Sequence, residues 1–125
     1  MVDIDYIMEL LDCNRTDEEQ LMGISLAQNV KCKNAFLRPG SPYGKRVWEN
    51  CAKVLSEKSD DDLISYLFEL LEWLQDMKSP GAFCILDRMK KYEKNKHFCF
   101  VLNDCIKYAR ALKDTIWENN LQEIC

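Results

Sequence analysis

Residues 67–92, LFELLEWLQDMKSPGAFCILDRMKKY, decide the fold because they hold two helical patterns joined by one short corner. Before the corner, leucines recur at intervals of three and four residues, which is the spacing of one buried helix face. At the corner, Ser79 is a good N-cap and Pro80 is favoured at the first position of a helix. The stretch therefore predicts one helix that ends near Met77 and another that begins near Pro80.

The same periodicity extends over most of the chain in both directions. Two residue pairs that form capping boxes, Thr16 with Glu19 and Ser59 with Asp62, mark further helix starts. The segment 31–43 breaks the pattern because its prolines cannot continue a helix. We predict six or seven helices, at about residues 4–11, 16–30, 44–56, 59–77, 80–93, 96–112 and 115–124.

Length and composition point to one all-α domain. The chain has 125 residues, of which 47% are apolar and 30% are charged, with 4 glycines and 3 prolines. This composition provides enough apolar side chains for one core and too few turn residues for a β-sandwich or barrel. We therefore expect a single helical domain over residues 1–125.

The predicted helix starts recur at a fixed offset. Helices that begin near residues 44 and 60 are followed by helices near 80 and 96, a period of about 36 residues. Two consecutive antiparallel hairpins, at about 44–77 and 80–112, are typical of HEAT-like α-solenoid stacking. An irregular bundle is the alternative interpretation, because helices of ordinary length can imitate a repeat.

The numbers of histidines and cysteines, and the absence of known motifs, exclude several kinds of active site. The chain has one histidine, His97, which excludes sites that need two imidazoles. Its 7 cysteines include no C-x-x-C pair, so we interpret them as mainly buried thiols in a reducing compartment. The sequence contains no phosphate-binding loop, nucleophile elbow or H-E-x-x-H motif. We therefore predict no catalytic residue, no metal and no cofactor.

The sequence also lacks signals for export or membrane insertion. Its first residues, MVDIDYIMELLD, have no basic start. No apolar run approaches the roughly 18 residues that a membrane-spanning helix requires. We therefore expect a cytoplasmic protein that does not enter a membrane.

The predicted helix at 59–77 carries acids on the side opposite its leucines. These acids recur at intervals of three and four residues and form an acidic stripe, which aromatic residues flank. Aromatic anchors beside carboxylates are typical of protein-binding hot spots. The candidate partner-binding residues are Asp62, Tyr66, Glu69, Glu72, Trp73 and Asp76. A solvated helix face is the alternative interpretation.

The net charge of -4 is unevenly distributed along the chain. Residues 1–76 hold 15 acids and 8 bases, whereas residues 77–125 hold 6 acids and 9 bases. Five of these bases form a basic turn at 88–96, made of Arg88, Lys90, Lys91, Lys94 and Lys96. This turn is an alternative candidate site, for nucleic acid. The acidic chain and the lack of a recognised nucleic-acid motif favour a solvated helix end instead.

Two stretches resemble a small helical family of bacterial proteins. They are PGSPYGKRVWENCAKVL (39–55) and the stretch 67–92, within a likeness that covers about residues 40–112. The family signature is a Trp-Leu-Gln-Asp segment followed shortly by Pro-Gly-Ala, and residues 73–76 and 80–82 match it. Between these two halves the family shows Asn-Trp, whereas this chain has Lys-Ser.

Proteins that resemble this family occur near polymorphic toxin genes, where they are candidate immunity proteins. The resemblance therefore implies a protein that binds and occludes a cognate toxin. Many such toxins are cationic nucleases, which the acid-rich residues 1–76 would attract. We accordingly expect an immunity protein of a contact-dependent or polymorphic toxin system. The alternative is a nucleic-acid-associated helical accessory protein that uses the basic turn.

Overall fold

The computed structural model describes residues 3–31 and 33–124 and contains helices joined by short connections, with no strand among those residues. The α-helices are α1 (Ile4–Leu11), α2 (Asp17–Ala27), α3 (Trp48–Ser56), α4 (Asp60–Leu63), α5 (Leu67–Glu72), α6 (Ala82–Lys91), α7 (Lys96–Ala111) and α8 (Thr115–Gln122). Short 3-10 helices cover Lys33–Phe36, Gly44–Val47, Ile64–Tyr66 and Trp73–Gln75. The prediction of an all-α fold is confirmed, and counting 60–75 as one bent helix gives seven helices in the described residues.

The first two helices form a hairpin whose starts follow the sequence signals. Asp3 caps α1 by accepting from the backbone N–H groups of the first turn. At α2 the Glu19 N–H donates to Thr16 Oγ1 at 3.2 Å, and the Thr16 N–H donates to Glu19 Oε1 at 3.3 Å. This reciprocal pair confirms the predicted capping box. Helix α2 ends at Ala27 rather than near Val30, so the boundary differs by three residues.

The predicted helix at 59–77 is interrupted twice. Helices α4 and α5 are separated by the 3-10 helix Ile64–Tyr66, and a second 3-10 helix follows α5. A 3-10 helix has three residues per turn, so each such stretch rotates the following side chains relative to a continuous α-helix. The predicted apolar face is nevertheless buried, as shown by Leu63, Leu67, Leu70, Leu71 and Leu74.

The segment 31–43 packs on the helices instead of extending into solvent. Phe36 is fully buried in the core, and Leu37 and Tyr43 pack against it. The Trp48 indole N–H donates to the Pro39 carbonyl at 2.9 Å. Residue 32, and the cysteine at that position, lie outside the described residues.

The helices that the repeat relates are packed against each other. Helix α3 contacts α6, and α5 contacts α7, which are the pairings expected when one hairpin stacks on the next. Helix α8 packs on α7 and on the 3-10 helix Trp73–Gln75. The Trp117 indole N–H donates to the Leu71 carbonyl at 3.0 Å, and the Asn120 amide donates to the Leu74 carbonyl at 2.9 Å. The buried side chains form one continuous cluster with contributions from α1 to α8.

The corner between α5 and α6 is built differently from the sequence prediction. Ser79 is not the N-cap and Pro80 is not the first helical residue, because α6 begins at Ala82 with Gly81 as its N-cap. The Ser79 hydroxyl instead donates to the Asp76 carbonyl at 2.6 Å. The buried Trp73 indole N–H donates to the Pro80 carbonyl at 3.1 Å, which holds that carbonyl toward the core.

Gly81 is required at this corner for two reasons. Its φ of 86° lies in the left-handed region, which side chains with a Cβ adopt at a cost. A Cβ there would lie 2.8 Å from Ala52 Cβ and 2.9 Å from the Trp73 ring. The segment Pro80-Gly81-Ala82 therefore builds a tight corner around Trp73.

We predict that Gly81→Ala lowers the free energy of unfolding by about 2–4 kcal/mol, because it combines left-handed backbone strain with overpacking. Urea denaturation followed by circular dichroism measures this change. Gly40→Ala is the matched control, since an added Cβ at Gly40 meets open space. A Gly81→Ala protein as stable as the Gly40→Ala control would contradict this account of the corner.

Candidate functional site

The acidic side chains of the predicted stripe lie at the surface, in three different local settings. Asp62 is in the first turn of α4, and its carboxylate lies 3.6 Å from Lys33 Nζ. Asp76 follows the last 3-10 turn and accepts from the Lys78 N–H at 2.9 Å, so it stabilises the corner. Glu69 and Glu72 lie on α5, and neither is in a salt bridge within the described part of the chain. Of the four predicted acids, Asp62 alone therefore has a cationic partner in the described part of the chain.

The two aromatic residues assigned to this surface have different environments. Trp73 is 1% exposed and packs edge-on against Trp48, with ring centroids 6.1 Å apart. It belongs to the core and cannot contact a partner on this surface. Tyr66 is half-buried and packs against the core cluster. Trp73 is enclosed by the corner, where its indole N–H donates to the Pro80 carbonyl and its ring lies beside Gly81.

A groove lies between residues 64–68 and α7, and exposed apolar side chains form part of its lining. Ile64 and Phe68 line one wall, and His97 and Val101 line the other. Ile64 is 40% exposed and Phe68 is 39% exposed, and the cavity volume is about 440 Å³. The Phe68 ring lies 6.2 Å from the ring of Tyr108, which continues the apolar surface along α7. Sequence analysis missed this groove because a regular helix model did not bring Phe68 and α7 together.

Three acids lie near the buried Cys105, which stands between Val101 and Tyr108 on α7. Burial, together with the charges of Glu72, Asp104 and Glu69, raises the pKa of the Cys105 thiol to about 12. The carboxylates of α5 and of α7 therefore all act on the same buried thiol. Like Glu69 and Glu72, Asp104 has no salt-bridge partner among residues 3–31 and 33–124.

The basic turn at 88–96 is largely occupied by internal contacts. The Arg88 guanidinium lies 2.5 Å from Asp60 and also donates to the Lys58 carbonyl at 3.0 Å. Lys94 Nζ donates to three backbone carbonyls around the end of α6, at 2.6 to 3.0 Å. Lys91 pairs with Asp87 at 3.0 Å. Arg88 and Lys94 therefore stabilise the fold, while Lys91 forms only an exposed surface pair, so the turn offers less charge for a phosphate backbone than the sequence pattern indicated.

A second groove lies between α2 and α3 and has a mixed character. It has a volume of about 320 Å³ and is lined by Asp17, Gln20, Leu21, Ile24, Asn50 and Lys53. The Asn50 side-chain NH2 group has two acceptors, since it donates to the Leu11 carbonyl at 2.7 Å and to Gln20 Oε1 at 2.9 Å. This groove therefore presents both signs of charge and no free buried polar group.

The described cysteines, 13, 51, 84, 99 and 105, are free thiols. Cys51 and Cys105 are buried as the sequence predicts, and burial raises the pKa of each to about 12, so both stay protonated at neutral pH. Cys13 is exposed, which corrects the interpretation of that residue as buried. The described residues contain no group of three or more His, Cys, Asp or Glu side chains arranged to hold a metal ion.

Comparisons with known proteins found no match, so the site is interpreted from its own geometry. No protein-family model matches the chain, no curated protein matches it, and no solved structure matches it. Within residues 3–31 and 33–124, no helix combines the length and apolarity needed to cross a membrane.

We predict that Asp60→Asn destabilises the protein by about 1–2 kcal/mol at neutral pH, because it removes the charge that Arg88 and the Glu93 N–H stabilise. Burial raises the pKa of Asp60, but those hydrogen bonds and the Arg88 charge outweigh burial and lower it below its ordinary 3.8. A depressed carboxyl pKa stabilises the fold above the unfolded-state pKa, and the contribution disappears as pH falls through the folded-state pKa.

Denaturation of the wild type and of Asp60→Asn at a series of pH values tests this prediction. The difference in unfolding free energy between them is expected to be largest near pH 7 and to shrink below about pH 4. A difference that stays constant with pH would contradict the role of the Asp60 charge.

Proposed function

We propose that this chain is a cytoplasmic immunity protein that binds and neutralises a cognate basic toxin domain through the surface around α5. The observation that carries the proposal is that the exposed Glu69 and the partly buried Glu72 have no salt-bridge partner among the described residues and lie beside exposed apolar side chains of the same segment. Carboxylates without an internal partner attract a basic protein and accelerate its association. In this proposal the protein acts by covering its partner, without a catalytic step.

The family resemblance supports the same proposal from a separate direction. Its signature residues Trp73 and Gly81 form the corner that holds α5 and α6 in place. Residues of this kind keep a binding surface rigid, and a rigid surface binds with a smaller entropy cost. The proposed contact residues are Asp62, Tyr66, Glu69, Glu72 and Asp76, without the buried Trp73.

The nucleic-acid alternative is disfavoured by the contacts of the basic turn. Phosphate binding needs lysines and arginines that are free to replace counterions. Arg88, Lys91 and Lys94 already have carboxylate or carbonyl partners. A protein partner of opposite charge is therefore the better match to this molecule.

The test begins with tagged protein as bait in a lysate of the bacterium that encodes it, at low and at moderate salt, read by mass spectrometry. We expect stoichiometric recovery of one basic protein. Expression of that protein alone in a bacterial host should stop growth, and co-expression of this chain should restore it. A captured protein that is harmless, or whose toxicity this chain does not relieve, would refute the immunity function.

We predict that Glu69→Lys/Glu72→Lys slows association with the captured protein roughly tenfold at low salt, because the reversal removes electrostatic steering. The loss should shrink as salt is added, since exposed charges are screened. Surface plasmon resonance measures both quantities.

The matched control is Glu18→Lys/Glu49→Lys, which changes the net charge equally at exposed positions on α2 and α3. It is expected to bind much more like the wild type. Equal association rates for the two double variants would show that overall charge, and not the α5 surface, guides the encounter.

A further inference from the structure

The groove between the 64–68 segment and α7 has the shape of a peptide-binding site. Its apolar surface runs along α7 from His97 past Val101 to Tyr108. His97 and Tyr108 are eleven positions apart on the helix, or about 16 Å at 1.5 Å per residue, which is close to three helical turns. Tyr108 is 46% exposed although its ring contacts both Phe68 and Trp117. Exposed aromatic rings held in place by neighbours are suitable anchors for a partner helix.

Acids lie about one helical turn from residues that line the groove, since Glu72 is four residues after Phe68 and Asp104 is three residues after Val101. Glu69 and Glu72 come from α5, and Asp104 comes from α7. None of the three has a salt-bridge partner in the described part of the chain. An apolar floor with acids along its border complements a helix that has apolar residues on one face and lysine or arginine beside them.

A second copy of this chain is a poorer occupant of the groove. A two-fold symmetric dimer would place the same surface on both sides and bring Glu69, Glu72 and Asp104 against their own copies. Like charges that face each other across an interface are unfavourable. The basic turn of another copy offers fewer bases to these acids than its sequence indicates, because Arg88 and Lys94 already have internal partners.

We infer that the groove lined by Ile64, Phe68, His97 and Val101, and continued by Tyr108, binds a basic amphipathic helix of the partner protein. The inference rests on the proposed function for the identity of that partner as a toxin. The partner helix places its apolar face against Phe68 and Val101, and its basic side chains reach Glu69, Glu72 and Asp104.

The preference of the groove is tested without the native partner by two synthetic peptides. They share a helical leucine pattern, and one has lysine at every polar position where the other has glutamate. Amide NMR titration of the full chain should show the lysine peptide perturbing residues 64–72 and 97–108. The glutamate peptide should not bind.

Substitution of Phe68 tests the anchor. Phe68→Ser should weaken binding of the lysine peptide by about tenfold, because an aromatic anchor is lost. Phe83→Ser is the matched control, since Phe83 is 71% exposed on α6 and outside the groove. Absence of lysine-peptide binding, perturbations confined to other residues, equal binding of both peptides, or an unaffected Phe68→Ser variant would each overturn the inference.

Growth rescue by the same variants separates this inference from the proposed function. If wild type and Phe83→Ser restore growth but Phe68→Ser does not, the groove is the place where the partner docks. If all three restore growth, the function stands and the groove is not the docking site. If the lysine peptide binds the groove as described but wild type restores no growth, the peptide preference is supported and the toxin is the wrong partner.

Discussion

The packing of Trp73 against Gly81 is the constraint on which the rest of the structure depends. The indole fills the space that a Cβ at residue 81 would need, and its N–H donates to the Pro80 carbonyl at 3.1 Å. This contact turns the chain sharply between α5 and α6. As a result α6 packs on α3 while α7 packs on α5, and the groove along α7 is a consequence of that second pairing.

Packing of α5 in the core determines which of its side chains face outward at the proposed site. Leu67, Leu70 and Leu71 fix α5 in the core, and this leaves Phe68 and Glu69 facing outward. Helix α8 supports the same segment through the bond from Trp117 to the Leu71 carbonyl. A surface supported in this way loses little conformational freedom when a partner binds, which favours tight association.

Sequence reasoning predicted the helices well because each was marked by a repeating apolar spacing and, at α2 and α4, by a capping residue. The predicted start of α6 was wrong because tertiary packing outweighed local helix propensity there. Ser79 and Pro80 are a good helix start in isolation, but the space around Trp73 admits a left-handed Gly81 there and moves the start to Ala82. The groove was missed for a related reason, since contacts between α5 and α7 join residues about 40 positions apart and leave no periodic signal.

The surface formed by α5 and α7 is where we expect the basic partner to bind. Hydrogen–deuterium exchange of the chain, alone and saturated with the basic protein that it captures, shows which residues that partner covers. Slower exchange in residues 64–72 and 97–108, with little change at 88–96, is the predicted result. Protection confined to the α2 and α3 groove or to the basic turn would contradict it.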